Sequence, residues 1–136
     1  MKRTTFIPLA ALACLVAGCA DTGAPAGALT QSELEALTAD GLSMAIGTPG
    51  SGFSGQFELT AEGTGAGYFD NAEGERTRLR GPWEIRNGQF CRVWDVVDAS
   101  GNRISEGEDV CEDWVRIDDT SVAVLVDGRQ IGVNDW

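Results

Sequence analysis

The side chains in this chain able to act on a substrate or hold a ligand are cysteines, arginines, carboxylates and tryptophans. Histidine is absent, and the only lysine is Lys2. That excludes serine–histidine, cysteine–histidine and serine–lysine nucleophiles, histidine metal sites and Schiff-base lysines. The sequence singles out no catalytic residue, no metal-ligand set and no cofactor motif. Gly50-Ser51-Gly52-Phe53-Ser54-Gly55 matches G-x-G-x-x-G, with Asp70 beyond it. A dinucleotide site needs a helix directly after such glycines to receive the pyrophosphate. A strand pattern follows instead, so the segment reads as a Gly-rich hairpin loop. Five acids fall between Glu106 and Asp113, without the loop length and glycine placement of a calcium site. They read as a charged edge that discourages strand addition. Among 21 acids some close pairs are unavoidable, which leaves a carboxylate hydrolase as the one enzymatic expectation, with no pair favoured.

The N-terminus reads as a targeting segment. Lys2 and Arg3 form a positive start, Phe6 to Ala17 is apolar, and small residues precede Cys19. The apolar stretch is shorter than the about 20 residues a membrane span needs. Leu15-Val16-Ala17-Gly18-Cys19 resembles the lipobox of bacterial lipoproteins. The resemblance implies that residues 1–18 are removed and Cys19 is lipidated, with residues 19–28 as anchor and flexible tether. Ala20 in place of Asp then implies the outer membrane, with the domain facing the periplasm. Each acyl methylene buried contributes about 0.8 kcal/mol, so more than one chain anchors durably. Cys14 leaves with the leader and Cys19 carries lipid, so Cys91 and Cys111 remain. In an oxidising compartment they form a disulfide. Eight arginines against 21 acids give the processed chain a charge of −13, compared with −11 for the whole sequence. Nucleic acid and anionic headgroups are repelled, and a macromolecular partner would be basic.

If strands 90–97 and 105–112 form a hairpin with Cys91 opposite Cys111, Trp94 faces Glu108 and Val96 faces Glu106. Alternation then sends Trp94 and Trp114 to the face opposite the disulfide. Phe90, Arg92, Trp94 and Val96 share that face with Glu112, Trp114 and Arg116, and Trp83 and Ile85 join from the preceding hairpin. Turned inward, Trp83, Phe90, Arg92, Trp94, Trp114 and Arg116 would line a site for a ligand with an apolar body and an acidic head. Val93, Val97, Val115 and Ile117 are equally good core residues on the other face. Their number favours the reverse arrangement, with arginine stems covering tryptophan faces at the surface.

The elements that position these residues are legible in part. Thr30-Gln31-Ser32-Glu33 is a capping box, and Leu29 and Leu34 occupy the staple positions around it. A short helix from about Gln31 to Ala39 follows, stopped near Gly41. Beyond it the pattern is strand. Phe53, Phe57 and Leu59 alternate with polar residues, and Asn87-Gly88 and Asp127-Gly128 are two-residue hairpin turns. These turns pair Ile85 with Phe90 and Trp83 with Arg92. They also pair Val126 with Arg129, Val124 with Ile131 and Val122 with Val133. Eight or nine short strands with one helix predict a mainly β fold: a small antiparallel barrel over residues 29–136, plugged at one end by the helix.

The stretch Gly81-Pro82-Trp83-Glu84-Ile85-Arg86-Asn87-Gly88-Gln89-Phe90-Cys91-Arg92-Val93-Trp94, with Cys111, is similar to small secreted proteobacterial domains of unknown function. That similarity implies a disulfide-bridged β fold outside the cytoplasm. The leading helix, the strand count and a Gly-x-Trp also resemble lipocalin-like barrels, though here the Gly-x-Trp falls mid-chain. The expected function is a lipid-anchored binding module for a small amphipathic ligand. The alternative is a protein-interaction module, such as an inhibitor of a basic envelope hydrolase.

Overall fold

The computed structural model describes residues 23–136. The leader, the lipobox with Cys19 and the start of the tether lie outside the described residues. Helix α1 (Gln31–Thr38) begins at N-cap Thr30. The Thr30 hydroxyl accepts from the Glu33 amide at 3.3 Å, and the Glu33 carboxylate accepts from the Thr30 amide at 2.8 Å. The capping box is therefore complete. Leu29 and Leu34, on either side of the cap, are both buried. One face of this short helix must bury to be stable, and it does so across the end of the barrel.

Ten strands follow among the described residues: β1 (Leu42–Thr48), β2 (Phe53–Leu59), β3 (Thr64–Asp70), β4 (Arg76–Arg86), β5 (Gln89–Val93), β6 (Asp95–Val97), β7 (Arg103–Ser105), β8 (Asp109–Asp118), β9 (Ser121–Val126) and β10 (Arg129–Asp135). Eight of them close an antiparallel barrel in the order β1-β2-β3-β4-β5-β8-β9-β10 and back to β1. Strands β5 and β6 are two halves of one extended run. Both pair with β4 in a single register, from Arg86↔Gln89 to Arg78↔Val97. Strand β7 pairs with β6 in turn, at Val96↔Ser105 and Val97↔Arg103.

The hairpin turns form where their residues demand. Asn87 and Asp127 hold φ of 54° and 50°, as a type I′ turn requires of its first central residue. Ile85↔Phe90, Trp83↔Arg92 and Val126↔Arg129 are paired as the turns imply. Cys91 and Cys111 face each other across β5 and β8, with Cα atoms 4.0 Å apart, and are joined by a disulfide.

Four expectations are corrected. A bulge between Gln130 and Gly132 shifts the last hairpin, so Val124 pairs with Gly132 and Val122 with Asn134. Ile131 is left 40% exposed, and its carbonyl accepts from the Thr48 hydroxyl. The predicted Trp94–Glu108 and Val96–Glu106 pairs are not made. Beyond Val93↔Asp109 the ladder breaks at Trp94 and resumes at Val96↔Ser105. Gly107 lies against the Trp94 backbone there, and its amide donates to Asp95 at 2.8 Å.

The tether does not extend to Ala28. The Leu29 amide donates to Trp114 O and the Arg116 amide to Gly27 O. Residues 27–29 thereby extend the sheet along β8 where β5 has ended. Finally, the tryptophan face points inward rather than outward. Trp114 and Phe90 are 0% and 1% exposed, whereas Ile117 is 55% exposed. Gly65 and Gly81 sit opposite each other on β3 and β4. With no Cβ on Gly65 the Trp94 ring can lie against it, while the bare Gly81 lets the Val93 carbonyl approach β4.

Candidate functional site

An aromatic column runs through the barrel. Trp136 stacks on Trp114 at 6.5 Å, Trp114 on Phe90 at 4.7 Å, and Phe90 meets Trp83 at 5.6 Å and Trp94 at 6.5 Å between ring centroids. Trp94 in turn meets Phe57 at 5.3 Å. The lower half of this column, with Leu29, Leu34 and Leu59, fills the barrel under α1. Gln31 ties the helix to the β4–β5 turn by accepting from the Gly88 amide at 2.7 Å.

Above the column a cavity of about 270 Å³ remains. Its walls are the inward residues of several strands: Met44 and Ile46 on β1, Phe53 and Phe57 on β2, Phe69 on β3, Leu79 on β4, and Val124 on β9. It opens at the end away from α1, between the ends of β1, β2, β3 and β10, where Phe53 and Phe69 pack at 4.7 Å. The polar groups on its wall are Arg92, Glu112 and Asn134.

Arg92 and Glu112 form a fixed unit. The Arg92 Nε donates to Glu112 Oε1 at 2.6 Å, and Trp114 Nε1 donates to Glu112 Oε2 at 3.0 Å. Side-chain exposure is 20% for Arg92 and 7% for Glu112. Such an enclosed pair costs desolvation of two ions, so a hydrophobic pair of similar volume would often do as well for stability. The Arg92 guanidinium also lies 5.9 Å from the Trp94 ring centroid.

The residues singled out in the sequence are thus divided. Phe90, Arg92 and Trp94 line the cavity. Trp114 lies beneath it and orients Glu112. Trp83 belongs to the packing at the helix end, its Nε1 donating to Thr64 O. Arg116 is exposed at that same end and donates to Asp118 O, so it takes no part. Sequence reasoning missed the apolar wall from β1, β2 and β3, although Phe53 and Phe57 were in a visible alternation. It also missed the role of Glu112, which the Arg92-to-Glu112 diagonal across β5 and β8 could have signalled.

The outer wall carries different chemistry. Arg86 spans Glu84 at 2.7 Å and Asp109 at 2.9 Å, with its Nη2 also 3.1 Å from Cys111 Sγ. The bond to Asp109 raises the Arg86 pKa further. At the mouth, two hydrogen bonds from Arg76 hold the Asp70 carboxyl below the usual carboxylate range. The acids of 106–113 do not converge, and among the described residues no group of three potential ligands could hold a metal ion. No family model matches this chain, and no curated protein matches it.

Proposed function

We propose that this protein is a binding module that takes a small amphipathic ligand into the open end of its barrel. The observation that carries this reading is the cavity itself: apolar on most sides, open at one end, with one oriented ion pair on its wall. Ligand sites are characteristically apolar concavities with a few placed polar groups. A cavity of about 150 Å³ holds benzene, so 270 Å³ suits a molecule of roughly ten to twelve non-hydrogen atoms. Glu112 is the only carboxylate among the described residues lining the cavity, and both its oxygens are engaged. That favours binding over hydrolysis by a carboxylate pair. In the same proposal Cys19 carries lipid and holds the domain at the periplasmic face of the outer membrane. The chain enters the barrel at its helix-plugged end, which suits a mouth turned away from the bilayer.

Of the four tryptophans, Trp94 alone lines the cavity. Titration of the soluble Ala20–Trp136 form with a panel of short amphiphiles should give a saturable fluorescence change that is lost in Trp94→Phe. Native mass spectrometry should show the ligand adduct at a one-to-one ratio. A flat titration across the panel, with no adduct, would sink the proposal.

A further inference from the structure

We infer that the cavity selects a neutral amphiphile whose head is a hydrogen-bond acceptor, such as an ester, amide or ketone carbonyl, over the carboxylic acid of the same length. This rests on the reading of the cavity as a ligand site. The Arg92 cation is already matched by Glu112, so the polar patch is electrically neutral. Its hydrogen-bonding capacity is not exhausted. Among the described residues the two Nη atoms of Arg92 have no hydrogen-bond partner, while no enclosed side-chain nitrogen or oxygen lacks one. The Nη atoms are therefore not enclosed by protein, and Arg92 lines the cavity, where a guanidinium can only donate.

Each class of occupant meets a different balance there. A carboxylate on the Nη atoms would be drawn to Arg92 but repelled by Glu112, which Trp114 and Arg92 hold in place. It would also lose its hydration and approach a protein of strongly negative charge. A cation would be drawn to Glu112 but repelled by Arg92, and both Glu112 oxygens are already engaged. A pure hydrocarbon would strip water from the Nη atoms and offer nothing in return. A neutral carbonyl accepts from the guanidinium at little desolvation cost, while its chain lies against Met44, Ile46, Phe57 and Trp94. A hydrogen bond to a charged group made or lost moves affinity by about tenfold or more.

The test compares methyl octanoate, octanoate and octane at neutral pH, by Trp94 fluorescence and calorimetry. The protein is the Ala20–Trp136 form, which retains every described helix and strand. Methyl octanoate should bind at least about tenfold tighter than either of the others. Glu112→Gln leaves Arg92 unneutralised, and octanoate affinity should then rise about tenfold or more while the ester changes little. Should that variant fail to fold, Arg92→Met serves instead: it removes the donors, and the ester should lose its advantage over octane. Octanoate binding as tightly as the ester, or a preference unmoved in the folded variants, overturns the inference. If none of the three compounds binds, the ligand-site reading itself falls.

Discussion

Trp94 enters the barrel because Gly65 leaves room for it, and that room can be tested by filling it. A Cβ on Gly65 would lie 2.9 Å from Trp94 Cζ3 and closer still to Cη2, with Leu59 Cδ2 at 3.0 Å. Gly65 has an ordinary negative-φ backbone, so alanine suits its conformation. With open space beside it, Gly65→Ala would stabilise by about 0.4–1 kcal/mol, through the unfolded state. Overpacking against a ring that cannot retreat costs about 1–3 kcal/mol. Trp94 is backed by Phe57 and meets Phe90, so the clash should win. The net loss should be about 1–2 kcal/mol, lowering Tm by roughly 4–8 °C in a domain of this size. The assay is urea and thermal unfolding of Gly65→Ala, Trp94→Leu and the double variant. Removing the indole should relieve the clash, giving a coupling of at least about 1 kcal/mol. A Gly65→Ala protein as stable as the parent refutes this account, as does an equal penalty with and without the indole.

Other expectations are simpler. The Cys91→Ala/Cys111→Ala protein should lose about 3 kcal/mol in urea unfolding, the entropy of closing a loop with a sequence separation of 20. Thr30→Ala removes the acceptor of the capping box and should cost about 1 kcal/mol, seen as a lower urea midpoint. Gln31→Ala frees the β4–β5 turn from the helix, and amide exchange at Gly88 should accelerate with little change elsewhere. In Glu33, Asp70, Asp98 and Asp118, hydrogen bonds from Thr30, Arg76, Asn102 and Thr120 respectively hold the folded carboxyls below their ordinary range. Their contribution is fully present above the unfolded pKa and is lost as pH falls through the folded values. Asp70→Asn should therefore flatten part of the acid limb of a stability–pH profile.

How far the sequence reached depended on the distance over which each cause acts. The capping box of Thr30 and Glu33 and the turns at Asn87 and Asp127 were legible because a few adjacent residues decide them. So was the opposition of Cys91 and Cys111, because two cysteines left in an oxidising compartment allow one pairing, and a disulfide across neighbouring strands needs them opposite each other. The ladder breaks were not. Ile131 bulges where β10 serves β9 on one side and lies against Thr48 of β1 on the other, a demand of barrel closure that no window around Asp127-Gly128 contains. Similarly, the break at Trp94 follows from Gly107 meeting the Trp94 backbone across the wall.

The candidate site divides along the same line. Period-two alternation showed that Phe90, Arg92 and Trp94 share a face, and that Glu112 and Trp114 do so on the neighbouring strand. It could not decide which face is interior, and the valines on the other face tipped the expectation the wrong way. The answer lay in volume: Gly65, from a strand remote in sequence from Trp94, leaves space for its indole on the inner side of the sheet. Arg92 looked like a free cation until the fold set Glu112 beside it at 2.6 Å. Local propensity and alternation act within a strand or turn. Interior volume and charge pairing are sums over strands far apart in the chain, and they take a value only when the barrel closes.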